Sequence, residues 1–497
     1  MARRNSSYSI LRWFSIGLII MSVFLMTVHL VRYSRIRSNF PSGLKIAGVP
    51  VGELNYEQAT ERLYAVFFSP IEVRYGANAI QVNPSTLGFE LNLESMLTAA
   101  DKQRVSESFW VGFWKYLWNQ PQTTQNIPLQ AEVDEARLRL YLQNEIAARY
   151  DVTATPPIPI PGETGYYAGQ TGTRLNIERA TMQAISAMRS SANRTINLTY
   201  DRTSIPRAPL GLLEVSLKQI IESSGFDGLV ELYLEDMQTT QVMQFAYSTV
   251  EGDLIKDIAF SSWSTIKIPV MISAYKLLNE PTDPEALQLI KEMIDKSDNE
   301  STDALSMTVI DPNLAPLVVT EDLRTLGLTD SFWGGHFYIG APLLQRYETK
   351  ANQRQDIDTE PDIYAQTTVS DMGRLMEDIY FCSEYNGGSL IAAFNGDISS
   401  GECRQMVEHL AANKIGVLIQ AGVPSGTIVA HKHGWANESD DGYIHTIGDV
   451  ALVYSPGADY VLTIFAHHPV QAIFDPVNLL FANLSTAIYN YYNLQAQ

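Results

Sequence analysis

The sequence predicts an α+β protein. It has one transmembrane helix, an N-terminal α+β module and a C-terminal domain in which an antiparallel sheet, flanked by helices, is split in sequence by a helical lobe. Three observations predict this. An uncharged run of 19 residues, 13–31, lies near the start of the chain. Up to about residue 200, short β-like stretches alternate with helical segments led by asparagine. From residue 210 the order changes to helix, strand pair, long helical stretch, strand pair and closing helix, which suits one sheet covered by helices.

Composition limits the function. At roughly 100–200 residues per domain, a chain of 497 residues holds more than one. Its 35 Lys+Arg against 55 Asp+Glu leave a net charge of −20, with no basic face for a nucleic-acid binder that works by counterion release. A hydrophobic content of 45% with 18% charged residues excludes a disordered chain. Two cysteines exclude a disulfide-dense scaffold and a four-cysteine zinc site.

The first 40 residues run against the acidic average. They hold Arg3, Arg4, Arg12, Arg32, Arg35 and Arg37 and no carboxylate. At about 1.5 Å per residue, the run between Arg12 and Arg32 just crosses a hydrocarbon core of about 30 Å. Arg32-Tyr33-Ser34-Arg35 offers no small-x-small cleavage site, so an uncleaved signal-anchor is favoured over a removed signal. Residues 1–12 then form a cytoplasmic tail. Three arginines on each side leave orientation to be decided by the rest of the chain.

Residues 32–205 read as the α+β module. Leu54-Asn55, Leu91-Asn92 and Leu175-Asn176 each precede a run with helical spacing, with Glu57, Glu94 and Glu178 two residues after the asparagine. Asparagine accepts from the first free N–H groups of a helix, and the glutamate suits the positive end of its dipole. An internal duplication and a recurrence of ordinary capping stand level as explanations. The proline-rich stretch 152–162 is expected to be extended, as a strap inside this module. Residues 206–497 form the C-terminal domain, with helices at 210–224 and 264–278, strands at 228–234, 240–247, 443–454 and 460–467, and a last helix at 475–491.

Three short motifs carry chemistry. Ser264-Thr265-Ile266-Lys267 sets a hydroxyl and an amine one helical turn apart on one face. A serine needs a nearby base, and a lysine kept neutral by burial is one. Ser297-Asp298-Asn299 is also an ordinary polar helix cap, and Lys432-His433-Gly434 precedes the last strand pair. Each motif alone is weak, as Ser42-Gly43-Leu44-Lys45 shows by repeating the first one without a role. In this order and context they resemble the constellation of class A β-lactamases and penicillin-binding proteins over about 210–497. Thr367-Thr368-Val369-Ser370-Asp371-Met372 also looks like the helix start that follows the Ω-loop in that family. Residues 41–205, through Gly43-Leu44-Lys45-Ile46-Ala47-Gly48-Val49, Leu87-Gly88-Phe89 and Gly169-Gln170-Thr171-Gly172, resemble a peptidoglycan-binding domain found ahead of catalytic domains in cell-envelope proteins.

The resemblance implies roles. Ser264 is the nucleophile, Lys267 its activator, Ser297 a proton relay, and Asn299 positions Lys267 and the substrate. Lys432 and Gly434 serve the substrate carboxylate, and the N–H groups of Ser264 and Trp435 form the oxyanion hole. His433 departs from the usual Thr or Ser, and only 33 residues separate Ser264 from Ser297, which implies a shortened lobe. No Glu-x-x-Leu-Asn is present. Glu348, four residues before Asn352, is the candidate for the deacylating base, with a plain surface charge as the competing reading. The expected activity is opening of β-lactam amides through a Ser264 acyl-enzyme by an extracytoplasmic domain anchored in the cytoplasmic membrane. The alternatives are a D,D-peptidase of peptidoglycan and a non-catalytic wall or β-lactam sensor. Partners implied are β-lactams or peptidoglycan stem peptides, and the wall through residues 41–205. The histidines have no metal-ligand spacing, and no cofactor is expected. Outside the cytoplasm, Cys382 and Cys403 are expected to pair.

Overall fold

The uncharged run lies within one long helix, α1 (Ser6–Arg37). The computed structural model describes residues 6–120, 123–394, 396–438 and 440–494; Arg3 and Arg4 of the expected tail lie outside them. Two compact units divide the chain, one of Met1–Ala154 with Thr171–Ser204, the other of Thr155–Gln170 with Ile205–Gln497.

In the first unit each Leu-Asn echo starts a helix. Asn55 caps α2 (Tyr56–Phe67) in a reciprocal pair with Gln58. A hairpin follows, β1 (Ile71–Tyr75) and β2 (Asn78–Val82). Asn92 then caps α3 (Leu93–Arg104), and α4 (Phe109–Leu117) comes next. Asn176 caps α5 (Ile177–Met188), and β3 (Thr195–Asn197) returns to pair in parallel with β1. Leu63, Phe67, Val73, Leu97, Ala184 and Met188 are buried in the core of this unit. Helix α4 packs on α1, with the Tyr33 ring 5.3 Å from that of Phe109 and 5.6 Å from that of Phe113. A Cβ on Gly112 would lie 2.0 Å from the Tyr33 hydroxyl, so this approach depends on the glycine.

The second unit opens with α6 (Leu210–Ser224), then β4 (Leu229–Asp236), β5 (Val242–Ser248) and β6 (Gly252–Leu254). The helical lobe follows: α7 (Lys267–Leu277), α8 (Pro284–Asp295), α9 (Asn299–Leu305), α10 (Ala315–Thr325), α11 (Val369–Tyr385) and α12 (Ser400–Ala411). The chain returns as β7 (Ile428–Trp435), β8 (Thr446–Tyr454) and β9 (Tyr460–His467), and closes with α13 (Phe474–Asn493). The sheet is antiparallel in the order β6-β5-β4-β9-β8-β7. Its central strands are buried on both faces. Val230, Leu232 and Ile464 meet α6 and α13 on one face, while Tyr233, Val450 and Phe465 meet the lobe on the other. A disulfide joins Cys382 of α11 to Cys403 of α12.

Two expectations change. The Lys432 motif lies within an eight-residue edge strand, β7, rather than just before the strands. Apolar patterning hid it, because His431, Lys432 and His433 are buried there despite their polarity. The proline-rich strap was expected inside the N-terminal module, but Thr155–Gln170 belongs to the second unit. There the Tyr166 hydroxyl donates to the Ala487 carbonyl of α13 at 3.0 Å, and Asn490 Nδ2 donates to the Thr164 carbonyl at 2.9 Å.

Candidate active site

Ser264 sits in a tight helical turn, Trp263–Ile266, that leads directly into α7. Trp263, just before it, has a left-handed backbone with φ 45°. Such strain in a bulky residue persists only where its surroundings fix it. Strand β7 supplies part of that hold. A Cβ on Gly434 would stand 2.8 Å from the Ser262 carbonyl oxygen and 3.0 Å from Ser264 N. Only glycine lets the strand pass so close to the Ser264 turn.

Lys267, at the start of α7, has no solvent exposure. Its Nζ donates to the Ser297 carbonyl at 2.6 Å and to Asn299 Oδ1 at 2.7 Å. Burial lowers its pKa to about 7, against the opposing pull of Asp298 and Asp303. Both readings of the Ser297-Asp298-Asn299 motif hold at once. The Asp298 carboxylate caps α9 through the Ser301 N–H at 2.7 Å, while Ser297 and Asn299 on either side turn to Lys267. Ser297 takes a left-handed backbone, φ 56°.

Along β7, Lys432 lies two residues from Ala430, on the same face, and so faces the lobe. Its Nζ donates to Ser297 Oγ at 2.9 Å, and burial drives its pKa well below the ordinary lysine value. His433 points the other way. It is 3% exposed, its ring lies 4.4 Å from that of Trp435, and its Nε2 has no partner. Burial, then the neighbouring Lys432, lower its pKa to about 3, so the imidazole is neutral. Ser264, Ser297, Asn299, His433 and Trp435 line one cavity of about 560 Å³.

Residues 276–492 match the model of the beta-lactamase enzyme family. Over that stretch the chain is similar to that family. Among solved structures, PBP-A is 18% identical, with a TM-score of 0.40, and the match covers 59% of this chain and 100% of that one. A β-lactamase from Xanthomonas campestris is 16% identical at a TM-score of 0.39, over 56% and 98% of the two chains. A variant of the TLA-1 extended-spectrum β-lactamase is 15% identical at 0.40, over 56% and 98%. No curated protein sequence matches.

Four expected residues, Lys267, Lys432, Gly434 and Glu348, are not among the cavity's lining residues; Lys267 and Lys432 bond to Ser297 behind the wall and Gly434 passes against the Ser264 turn, whereas Glu348 touches none of these. Glu348 is exposed. Its neighbours Tyr347 and Thr349 are buried, and Asn352 is occupied in holding that loop, accepting from Thr349 N and donating to the Tyr347 carbonyl. The side chain over Lys267 is instead Phe337, whose ring centre is 5.2 Å from Nζ. Asp303, one turn beyond Asn299 on α9, accepts from the Phe337 N–H at 2.9 Å and fixes this segment. Asp362 is the one carboxylate among the described lining residues, and burial raises its pKa.

Sequence reasoning missed Asp303, Phe337 and Asp362. Asp303 carried a readable signal, four residues after Asn299 on the same helix face. Phe337 and Asp362 lie in irregular chain with no periodicity to read. It also missed the support beneath β7, where buried Asp449 accepts from His431 Nδ1 at 3.0 Å and from the Ile419 N–H at 3.1 Å.

Proposed function

We propose that this protein is a membrane-anchored, extracytoplasmic serine acyl-transfer enzyme. It is acylated by β-lactams at Ser264 and releases them slowly, as a D,D-peptidase of peptidoglycan does. The buried, depressed Lys267, three residues after Ser264 and bonded to Ser297 of the same cavity, carries this reading. A neutral amine has two N–H bonds, and both find acceptors in the Ser297 carbonyl and Asn299 Oδ1. The lone pair is left for the serine proton, taken directly or through a water. Ser264 Oγ adds to the amide carbonyl, and the oxyanion falls to the N–H groups of Ser264 and Trp435. The Ser297 hydroxyl, held by Lys432, passes a proton to the leaving nitrogen. His433 and Lys432 serve the substrate carboxylate.

Slow release is favoured because an aromatic ring covers Lys267 and Glu348 stands outside the cavity. One observation favours a β-lactamase as second reading: Asp362 offers a carboxylate on the cavity wall. α1 is long and apolar enough to cross a membrane, by length and composition. As an uncleaved anchor it would keep the domain outside the membrane near the wall, with residues 41–205 as the wall-binding part.

The test is incubation of the full chain with a labelled penicillin, beside Ser264→Ala. Expected are a stable adduct on the wild type, none on the variant, and release of the terminal D-alanine from a stem peptide. Rapid appearance of ring-opened product would move the assignment to a β-lactamase. No adduct at all would refute both.

A further inference from the structure

Helix α4 has the sequence Phe-Trp-Val-Gly-Phe-Trp-Lys-Tyr-Leu, with Lys115 as its one charge. One side is packed, with Gly112 and Phe113 buried against α1. The other presents Trp110, Trp114 and Trp118, spaced four apart and 61%, 53% and 73% exposed, with Val111 at 51%. Residues at that spacing form one stripe. A bare tryptophan stripe in water is costly and marks an interaction surface.

The pairing with α1 says what covers it. Arg37 stands 5.2 Å from the Phe109 ring at the start of α4, while the Tyr116 ring near its end lies 6.0 Å from that of His29, tilted against it. Helix α4 therefore runs back along α1 toward the uncharged run, covering roughly 10 Å of helix axis between those two contacts. His29 lies two residues inside the 13–31 run, and Trp118 lies two residues beyond Tyr116. Residues 28–30 of α1 are partly covered and 21–27 are bare, as a neighbour ending at that depth requires. Arg35 and Arg37 lie six and eight residues beyond His29 toward the C-terminal end of α1, where lipid phosphates would be, and Lys115 reaches back from α4 to pair with Glu107 ahead of it.

We infer that α4 is an interfacial helix whose Trp110, Trp114 and Trp118 face lies in the headgroup–acyl boundary of the bilayer that α1 spans. Tryptophan prefers that boundary because its ring is apolar and its N–H is wet. The N-terminal unit is then held to the membrane at two places, which fixes its tilt as one helix alone does not. This rests on the anchored reading of α1 given above.

The experiment uses the full chain in phosphatidylcholine vesicles containing phosphatidylglycerol, with an environment-sensitive fluorophore on a single introduced thiol. Cys382 and Cys403 are bonded to each other and stay unlabelled under non-reducing conditions. The sites are Trp118→Cys, Leu18→Cys within α1, and Val250→Cys, a position 76% exposed in the other unit. The label at 118 is expected to be at least fivefold less quenched by aqueous iodide than the one at 250. It is also expected to be quenched more by a nitroxide near the lipid headgroup than by one deep in the chain, with the reverse order at 18. Iodide access at 118 equal to that at 250, with 18 shielded, overturns the inference and leaves the anchor standing. Iodide access at 18 overturns the anchored reading and the inference with it. Penicillin labelling of each variant reports that the chain is folded.

Discussion

Replacing Asn299 by aspartate tests whether Lys267 acts as a neutral base. The amide oxygen lies 2.7 Å from Nζ, so the variant sets a carboxylate against a fully buried amine. Two unit charges about 4 Å apart attract by about 4 kcal/mol at an effective dielectric of about 20. At about 1.4 kcal/mol per pKa unit this is a rise of roughly three units. From about 7, Lys267 would return close to the ordinary lysine value. The neutral fraction at pH 7 would then fall from about one half to roughly one in a thousand, and acylation by the same factor. Stopped-flow acylation by a fluorescent penicillin between pH 6 and 10 measures this. The wild type should rise about tenfold per pH unit up to about 7 and then level off. Asn299→Asp should keep rising toward pH 10 and recover most of the lost rate there. Asn299→Ala should be slower with its inflection still near 7. An inflection that does not move in Asn299→Asp would refute Lys267 as the base. Linkage gives the same group a second signature. Its folded pKa lies below its unfolded one, so the unfolded chain binds the extra proton between about 7 and 10, and stability should rise with pH across that window. Lys267→Met should flatten that slope in urea titrations.

Other outcomes follow from the same geometry. Glu348→Gln should leave the lifetime of the penicillin adduct unchanged within twofold, as an exposed residue outside the cavity requires. Gly434→Ala puts a methyl group 3.0 Å from Ser264 N; acylation should fall by about 10²-fold, the usual cost of misplacing a reacting group by about 1 Å. The His433 ring, neutral above about pH 3, should add no inflection to the acylation profile between pH 5 and 9. His433→Thr should leave that profile's shape as it was. Replacing both Cys382 and Cys403 by serine opens a link 21 residues apart in sequence. It should cost about 3 kcal/mol by loop-closure estimates, read as a lower Tm, with penicillin labelling retained at 25 °C.

The parts legible in sequence were those with a period or a fixed spacing. Ser264 and Lys267 share a helix face, Ser297 and Asn299 flank a capping aspartate, and the asparagine-led helices announce their first turns. The parts that stayed hidden break the rule that polar residues lie outside. Strand β7 buries His431, Lys432 and His433 in succession, with Asp449 supplying a partner for His431 and Ser297 one for Lys432 from elsewhere in the fold. Sequence alone does not show those partners. Glu348 misled because a glutamate four residues from an asparagine is a spacing in the chain, whereas position over Lys267 is decided in space. Phe337 takes that position from eleven residues upstream, held by Asp303.

The strap formed by Thr155–Gln170 bears on how such a protein is assembled over evolution. Its sequence lies inside the first unit's stretch of chain, yet its hydrogen bonds are made to the last helix of the second. A recombination joint at residue 205 would deliver the C-terminal unit without the Tyr166 hydroxyl on Ala487 and without the Thr164 carbonyl on Asn490. A cut at residue 205 would therefore leave that side of the last helix without these two partners.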